Sequence, residues 1–227
     1  RIGEGSLGGK ARGLAFMNSM ILKHRLYDKH ANVRIMIPRS VVIATDYFDD
    51  FIRLNGLKYI ISQEFSDEEI LSEFVSSTVP AKLQQELKAY IQTVRTPLAV
   101  RSSSKLEDSH YQPFAGIYST YMIPYVDNGD QMLRLLLKAV KSVYASVYFA
   151  TSRAYLSSSQ NLISEEKMAV IIQEVCGTEQ DGLFFPTFSG VARSINYYPI
   201  GDEAPADGVC NIAMGLGKLV VDGGRTL

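Results

Sequence analysis

The period of the apolar residues changes along this chain, and that change limits the folds open to it. Leu14, Met17, Ile21 and Leu22 recur at helical spacing behind a glycine-rich lead, GEGSLGG. DYFDDFIRLNGL is helical text up to Gly56, a C-cap residue, and SDEEILSEFVSS opens with Ser66 and Glu69 at capping-box spacing. A further helix is predicted from Pro80 to about Val94, and one β-rich stretch, MIPRSVVIAT at 36–45, lies among these helices. Pro97 ends the helical text, and TPLAVRSSS and IYSTYMIPYV read as strands. NGDQMLRLLLKAVKSVYASVYFATSRAYL reads as one long amphipathic helix, with Leu133, Leu136, Leu137, Val140, Val143 and Val147 on a common stripe. EKMAVIIQEVCG, FSGVARSINYY and GVCNIAMGLGKLVV then follow as strand candidates between Gly-rich breaks. Helix-rich text followed by strand-rich text predicts an α+β architecture in two lobes, 1–96 and 97–227, with a ligand expected in a cleft between them.

At 227 residues the chain is long enough to bury most of its apolar surface. Its formal net charge is −1, so no global positive field draws in nucleic acid or an anionic membrane, and anion binding has to be local. No apolar run approaches the ~20 residues of a membrane span, which reads as a soluble, cytoplasmic protein. Cys176 and Cys210 lack paired motif spacing and are expected to be buried free thiols. His24, His30 and His110 lack metal-site spacing, and no Gly-x-Ser-x-Gly elbow accompanies the serines. The chain begins at Arg1 and both ends are Gly-rich, as expected of a piece of something longer.

Four features could carry chemistry. Lys10 follows Gly8 and Gly9 at the mouth of a helix, where exposed amides favour a phosphate; the ordinary alternative is a capped helix with a solvated lysine. The loop is not a Walker A motif, since position 4 is Glu and position 11 is Ala. Arg101 ends the apolar run Leu98-Ala99-Val100 and is followed by Ser102, Ser103 and Ser104. A guanidinium there is costly unless an anion, or else Glu107 or Asp108, meets it. Gln173 closes the apolar strand AVIIQEV, either to orient a base or as a chance polar residue at a strand end. The glycines of SGVA (189–192) and GLGKLVVDGG (215–224) permit close backbone approach to a ligand, or simply tight turns. One site for a nucleoside triphosphate is the best joint account of the set.

The order of these motifs resembles the N-terminal nucleotide-binding domain of the phosphoenolpyruvate synthase and pyruvate phosphate dikinase family. GGKARGLAFM, VRSSSKLEDSHYQPFAG, VIIQEV, SGVA and GLGKLVVDGG match family motifs in order, from about residue 5 to the end. The resemblance implies an ATP-grasp-like fold, incomplete at the C-terminus, with ATP and Mg2+ as ligands. It implies that Arg101 and Lys10 grip the phosphates as catalytic residues and that the turn Phe114 to Gly116 brings backbone close to them. Gly116, Thr120, Gln173, Glu174 and Val175 complete the nucleotide-binding set, the last three on the adenine side. The metal-binding carboxylate and the carrier histidine of the family have no counterpart in this chain.

The resemblance further implies an ATP-dependent, pyruvate, water dikinase-like phosphotransferase. Such an enzyme phosphorylates a carrier histidine on another domain, which passes the group to pyruvate on a third. Other acceptors in the family, a glucan or an antibiotic hydroxyl, remain open, as does a non-catalytic nucleotide-sensing module. Ile117, Arg193 and Lys218 depart from the family pattern and favour the sensing module. The isolated 227 residues are expected to fold, to bind ATP weakly and to be inactive.

Overall fold

The computed structural model describes residues 1–61, 63–104, 118–158 and 166–217. It is a mixed helix and sheet structure, as expected of an α+β chain. The chain divides into two compact units, Arg1–Val175 and Cys176–Leu227. This division falls elsewhere than the boundary expected between 96 and 97, because strands from both sides of that point share one sheet.

That sheet has four strands, β1 (Ser40–Ile43), β2 (Leu98–Ser104), β3 (Thr120–Ile123) and β4 (Met168–Glu174), in the order β1-β4-β2-β3. All its pairings are antiparallel, with Val42 opposite Ile171, Val100 opposite both Ile172 and Tyr121, and Arg101 opposite both Ile171 and Thr120. Side chains alternate along a strand, so this register sorts the residues into two faces. One face carries Ile43, Leu98, Val100, Ile123, Met168, Val170 and Ile172, all buried. The other carries Ser40, Val42, Ala99, Arg101, Ser103, Thr120, Ile171 and Gln173.

The apolar face belongs to a core cluster with four helices: α2 (Thr45–Leu54), α3 (Asp67–Ser76), α4 (Ala81–Ile91) and α5 (Gly129–Ala145). Each supplies residues at helical spacing, such as Phe48, Phe51 and Ile52, or Leu83 and Leu87, or Leu136, Val140 and Val143. Phe51, Phe74 and Tyr144 form an aromatic knot, with ring centroids 5.7 and 5.5 Å apart. Local signals start and end the helices as expected: Ser66 and Glu69 make a reciprocal capping box on α3, and Gly56 follows α2 at φ +64°.

Two expectations are corrected. The long helix after Asn128 breaks: α5 stops at Ala145, a 3-10 turn follows, Phe149 is extended, and α6 (Ala150–Ser158) starts afresh. Ser146 Oγ donates to the Val143 carbonyl at the end of α5, Ser152 Oγ donates back across the break to the Ser146 carbonyl, and Asp67 of α3 accepts the Ala150 amide at 2.7 Å, which caps α6 from a distant part of the chain. The cysteines are free but exposed, with Cys176 just after β4 and Cys210 on β8 (Val209–Met214). In the second unit β8 pairs antiparallel with β7 (Phe188–Arg193), and β5 (Thr178–Gln180) forms a hairpin with β6 (Leu183–Phe185). Among the described residues no helix is long and apolar enough to cross a membrane.

Candidate functional site

The second face of the sheet holds a directed row of polar side chains. Arg101 Nη1 donates to Gln173 Oε1 at 3.4 Å, Gln173 Nε2 donates to Ser40 Oγ at 3.1 Å, and Ser40 Oγ donates to the Pro38 carbonyl at 2.8 Å. Three neighbouring strands, β2, β4 and β1, thus present one hydrogen-bonded row, and the network fixes which way the Gln173 amide points. Thr120, exposed on β3, lies directly across from Arg101. Three residues singled out in the sequence, Arg101, Thr120 and Gln173, therefore share a face. Arg101 sits within β2 rather than at its mouth, because the strand continues through the serines to Ser104.

Lys10 reaches the same strand from α1 (Gly8–Lys23). The first turn of α1 is buried at Gly8, Gly9 and Ala11 and is pinned by Ser103, whose Oγ accepts from the Ala11 amide (3.0 Å) and donates to the Leu7 carbonyl (2.8 Å). Gly8 is required here: φ is +72°, and a Cβ would fall 1.8 Å from the Ser103 carbonyl oxygen. Lys10 Nζ then donates to Ser102 Oγ at 3.3 Å. Lys10 and Arg101 thus arrive at neighbouring residues of β2, but their charged groups are turned to different partners: Arg101 to Gln173 on the polar face, Lys10 to Ser102, which alternation puts on the core side. Beside the polar row, between α1 and β1, lies a cavity of about 360 Å³ lined by residues including Leu7, Ala11, Leu14, Pro38 and Ser40.

The last two residues of the set take other directions. Alternation puts Glu174 on the core side, opposite Leu98, where its Oε1 lies 3.4 Å from Arg39 Nε and Thr96 Oγ1 donates to its Oε2 at 3.5 Å. The buried Tyr90 hydroxyl is nearby; burial first, and the Glu174 charge second, push its pKa up to about 12. The Val175 amide donates to the Pro97 carbonyl at 2.9 Å, which extends the pairing of β4 with the chain before β2. Gly116, Phe114, Ile117, Glu107, Asp108 and Lys218 lie outside the described residues, and Arg193 is exposed on β7. Sequence reasoning missed Ser40 and the pinning role of Ser103. The signal for both was polar residues at alternate positions inside strand text.

Chemically, the face offers a fixed guanidinium, a primary amide held in one orientation and a threonine hydroxyl, with the Lys10 ammonium bonded to Ser102 at the adjoining helix start. Such donors suit an anion joined to a flat heterocycle. Comparison with known proteins points the same way. The family "Pyruvate phosphate dikinase, AMP/ATP-binding domain" matches residues 4–226. The chain is 29% identical over 152 residues to the "uncharacterized phosphotransferase YvkC" of Bacillus subtilis, covering 66% of this chain and 17% of that protein. It is 26% identical over 214 residues to the "probable phosphoenolpyruvate synthase" of Staphylothermus marinus, covering 83% and 23% respectively. With the phosphoenolpyruvate synthase of Aeropyrum pernix it shares 24% identity over 200 residues, covering 79% and 22%. The chain spans about a fifth of the length of these relatives. With nearly its whole length matched, the chain belongs to the AMP/ATP-binding domain family of pyruvate phosphate dikinase.

Proposed function

We propose that the polar face of the sheet is the ATP site of a phosphoenolpyruvate-synthase-like phosphotransferase with an ATP-grasp-like nucleotide domain. The observation that carries this reading is the polar row itself, with Arg101 hydrogen-bonded to Gln173 and Thr120 directly across from it, and with the start of α1, which bears Lys10, pinned to Ser103 on the same face. In it, Arg101 holds phosphate oxygens with a planar pair of donors. Lys10, on a flexible four-carbon stem, leaves Ser102 for the same anion. Both charges stabilise the negative charge that develops during phosphoryl transfer. Thr120 and Gly116 add contacts on the phosphate side. Gln173 orients the adenine, beside the backbone of Glu174 and Val175.

The acceptor in this reading is a histidine on a separate carrier domain, which then phosphorylates pyruvate bound to a third domain, in a cytoplasmic enzyme. A magnesium ion would share the phosphate charge. Such an ion keeps several waters and needs only one or two carboxylates. Among the described residues no group of three His, Cys, Asp or Glu side chains converges, so no residue of this chain is assigned to it. The test is ATP titration calorimetry on the full-length protein. Arg101→Ala should weaken binding by about 2 kcal/mol, roughly thirtyfold. Lys10→Ala should also weaken it, and unchanged affinity in both variants would refute the assignment.

A further inference from the structure

The glycine-rich lead into α1 is held by the start of a different helix. Ile2 pairs with the end of β1: its amide donates to the Val42 carbonyl at 2.8 Å and its carbonyl accepts from Ala44 at 2.9 Å. The Glu4 amide then donates to Asp46 Oδ2 at 2.8 Å, and the Ser6 amide donates to Thr45 Oγ1 at 3.0 Å. In return the Thr45 amide donates to the Ser6 carbonyl at 3.0 Å. Ser6 Oγ accepts from the Gly8 amide at 3.3 Å, which hands the chain on to α1 and Lys10. Residues 2 to 8 are thus bonded almost without interruption to β1 and to the first turn of α2, whose N-cap position, Ala44, has no side chain able to cap it.

The loop fits Asp46 closely. A Cβ at Gly3, where φ is +89°, would lie 2.5 Å from Asp46 Oδ1; one at Gly5 would lie 2.6 Å from the Asp46 amide and 2.7 Å from Thr45 Oγ1. Burial pushes the Asp46 carboxyl upward, but the amides of Glu4, Gly5, Asp46 and Tyr47 together outweigh it and hold its pKa below the usual carboxylate value. Its ionised form is therefore the one the loop is built around. The amides of the loop and of its own helix face it, with Oδ2 accepting from Glu4, while Oδ1 is buried without a hydrogen-bond partner among the described residues.

We propose that Asp46, seconded by Thr45, is a positioning residue for the nucleotide site: it fixes the loop of residues 3–6 against α2 and so sets where α1 presents Lys10 to β2. The role rests on the reading of Lys10 as a phosphate-side cation. Asp46 touches no nucleotide and acts only through the loop.

A double-mutant cycle on ATP affinity in the full-length protein separates this role from a general loss of stability. Asp46→Ala should weaken ATP binding about tenfold when Lys10 is present, and by less than about twofold more in the Lys10→Ala background. Asp46→Asn, which keeps one acceptor and the side-chain shape, should lose about threefold with the same dependence on Lys10 and serves if the alanine variant does not fold. Gly5→Ala, which wedges the loop from the opposite side, should reproduce the coupled loss. Equal losses with and without Lys10, or no loss from any of the three, overturn the positioning role while Lys10→Ala still weakens binding. If Lys10→Ala binds ATP as tightly as the unaltered protein, the nucleotide reading of Lys10 falls, and the positioning role with it.

Discussion

The two faces of the four-stranded sheet are made by the same strands and serve different ends. Along β2, Leu98 and Val100 are fully buried against helices, whereas Ala99 and Arg101 are partly exposed on the side where α1 packs on β2. Along β4, Val170 and Ile172 are in the core and Gln173 turns to the polar row. Adjacent residues thus differ in what their loss should cost. The core face holds the fold by burial, while the other face sets the partly exposed row of Arg101 and Gln173 beside buried Ile171 and Ser103, at the expense of stability that apolar residues in place of the row would provide.

Substitutions can break or sharpen this contrast. The largest effect belongs to the core: Phe51→Ala, at the centre of the aromatic knot, should lower unfolding free energy by about 4 kcal/mol in denaturant titration. Gly8→Ala follows at about 3 kcal/mol, since it adds both a left-handed backbone penalty and a clash with Ser103. It should weaken ATP binding as well, because it lifts α1 from the polar face. A Gly8→Ala protein of unchanged stability would show that α1 does not dock as described.

The smallest effect lies where the faces meet, at the end of β4. The Tyr90 hydroxyl is buried without a hydrogen-bond partner among the described residues, so Tyr90→Phe should change stability at neutral pH by less than about 1 kcal/mol. Its folded-state pKa of about 12 lies above the ordinary tyrosine value of 10.0, so the folded protein binds the proton more tightly than the unfolded chain does. That contribution is complete below the unfolded value and is lost as pH rises from there towards about 12. Tyr90→Phe should therefore flatten the alkaline limb of a stability profile in that window, and an identical limb would contradict the shift.

Much of this arrangement was legible in the sequence. The alternation in LAVRSSS separates Val100 from Arg101, the capping-box pair starts α3 where expected, and Gly56 ends α2 where expected. The position of Glu174 follows from the same alternation: next to Gln173 on β4, its side chain has to face the other way. The break at Phe149 was not legible, because the cap of α6 comes from Asp67, far off in sequence. Nor was the docking of the glycine loop on Asp46, which depends on a contact between Glu4 and a residue 42 positions later. The β5–β6 hairpin did carry a local signal. Asp181 and Gly182, at φ +51° and +77°, make the Asp-Gly turn that favours a two-residue hairpin loop.

The most direct test of the account sets two neighbours on β2 against each other in the full-length protein, with unfolding free energy and ATP affinity measured on both. Val100→Ala should cost about 2 kcal/mol of stability and leave the ATP affinity of the folded protein within about twofold. Arg101→Ala should leave stability within about 0.5 kcal/mol, as expected for a partly exposed residue, and weaken ATP binding roughly thirtyfold. Arg101→Ala with unchanged ATP affinity, or Val100→Ala with the larger loss of binding, would contradict the division of the sheet into a structural and a nucleotide-binding face.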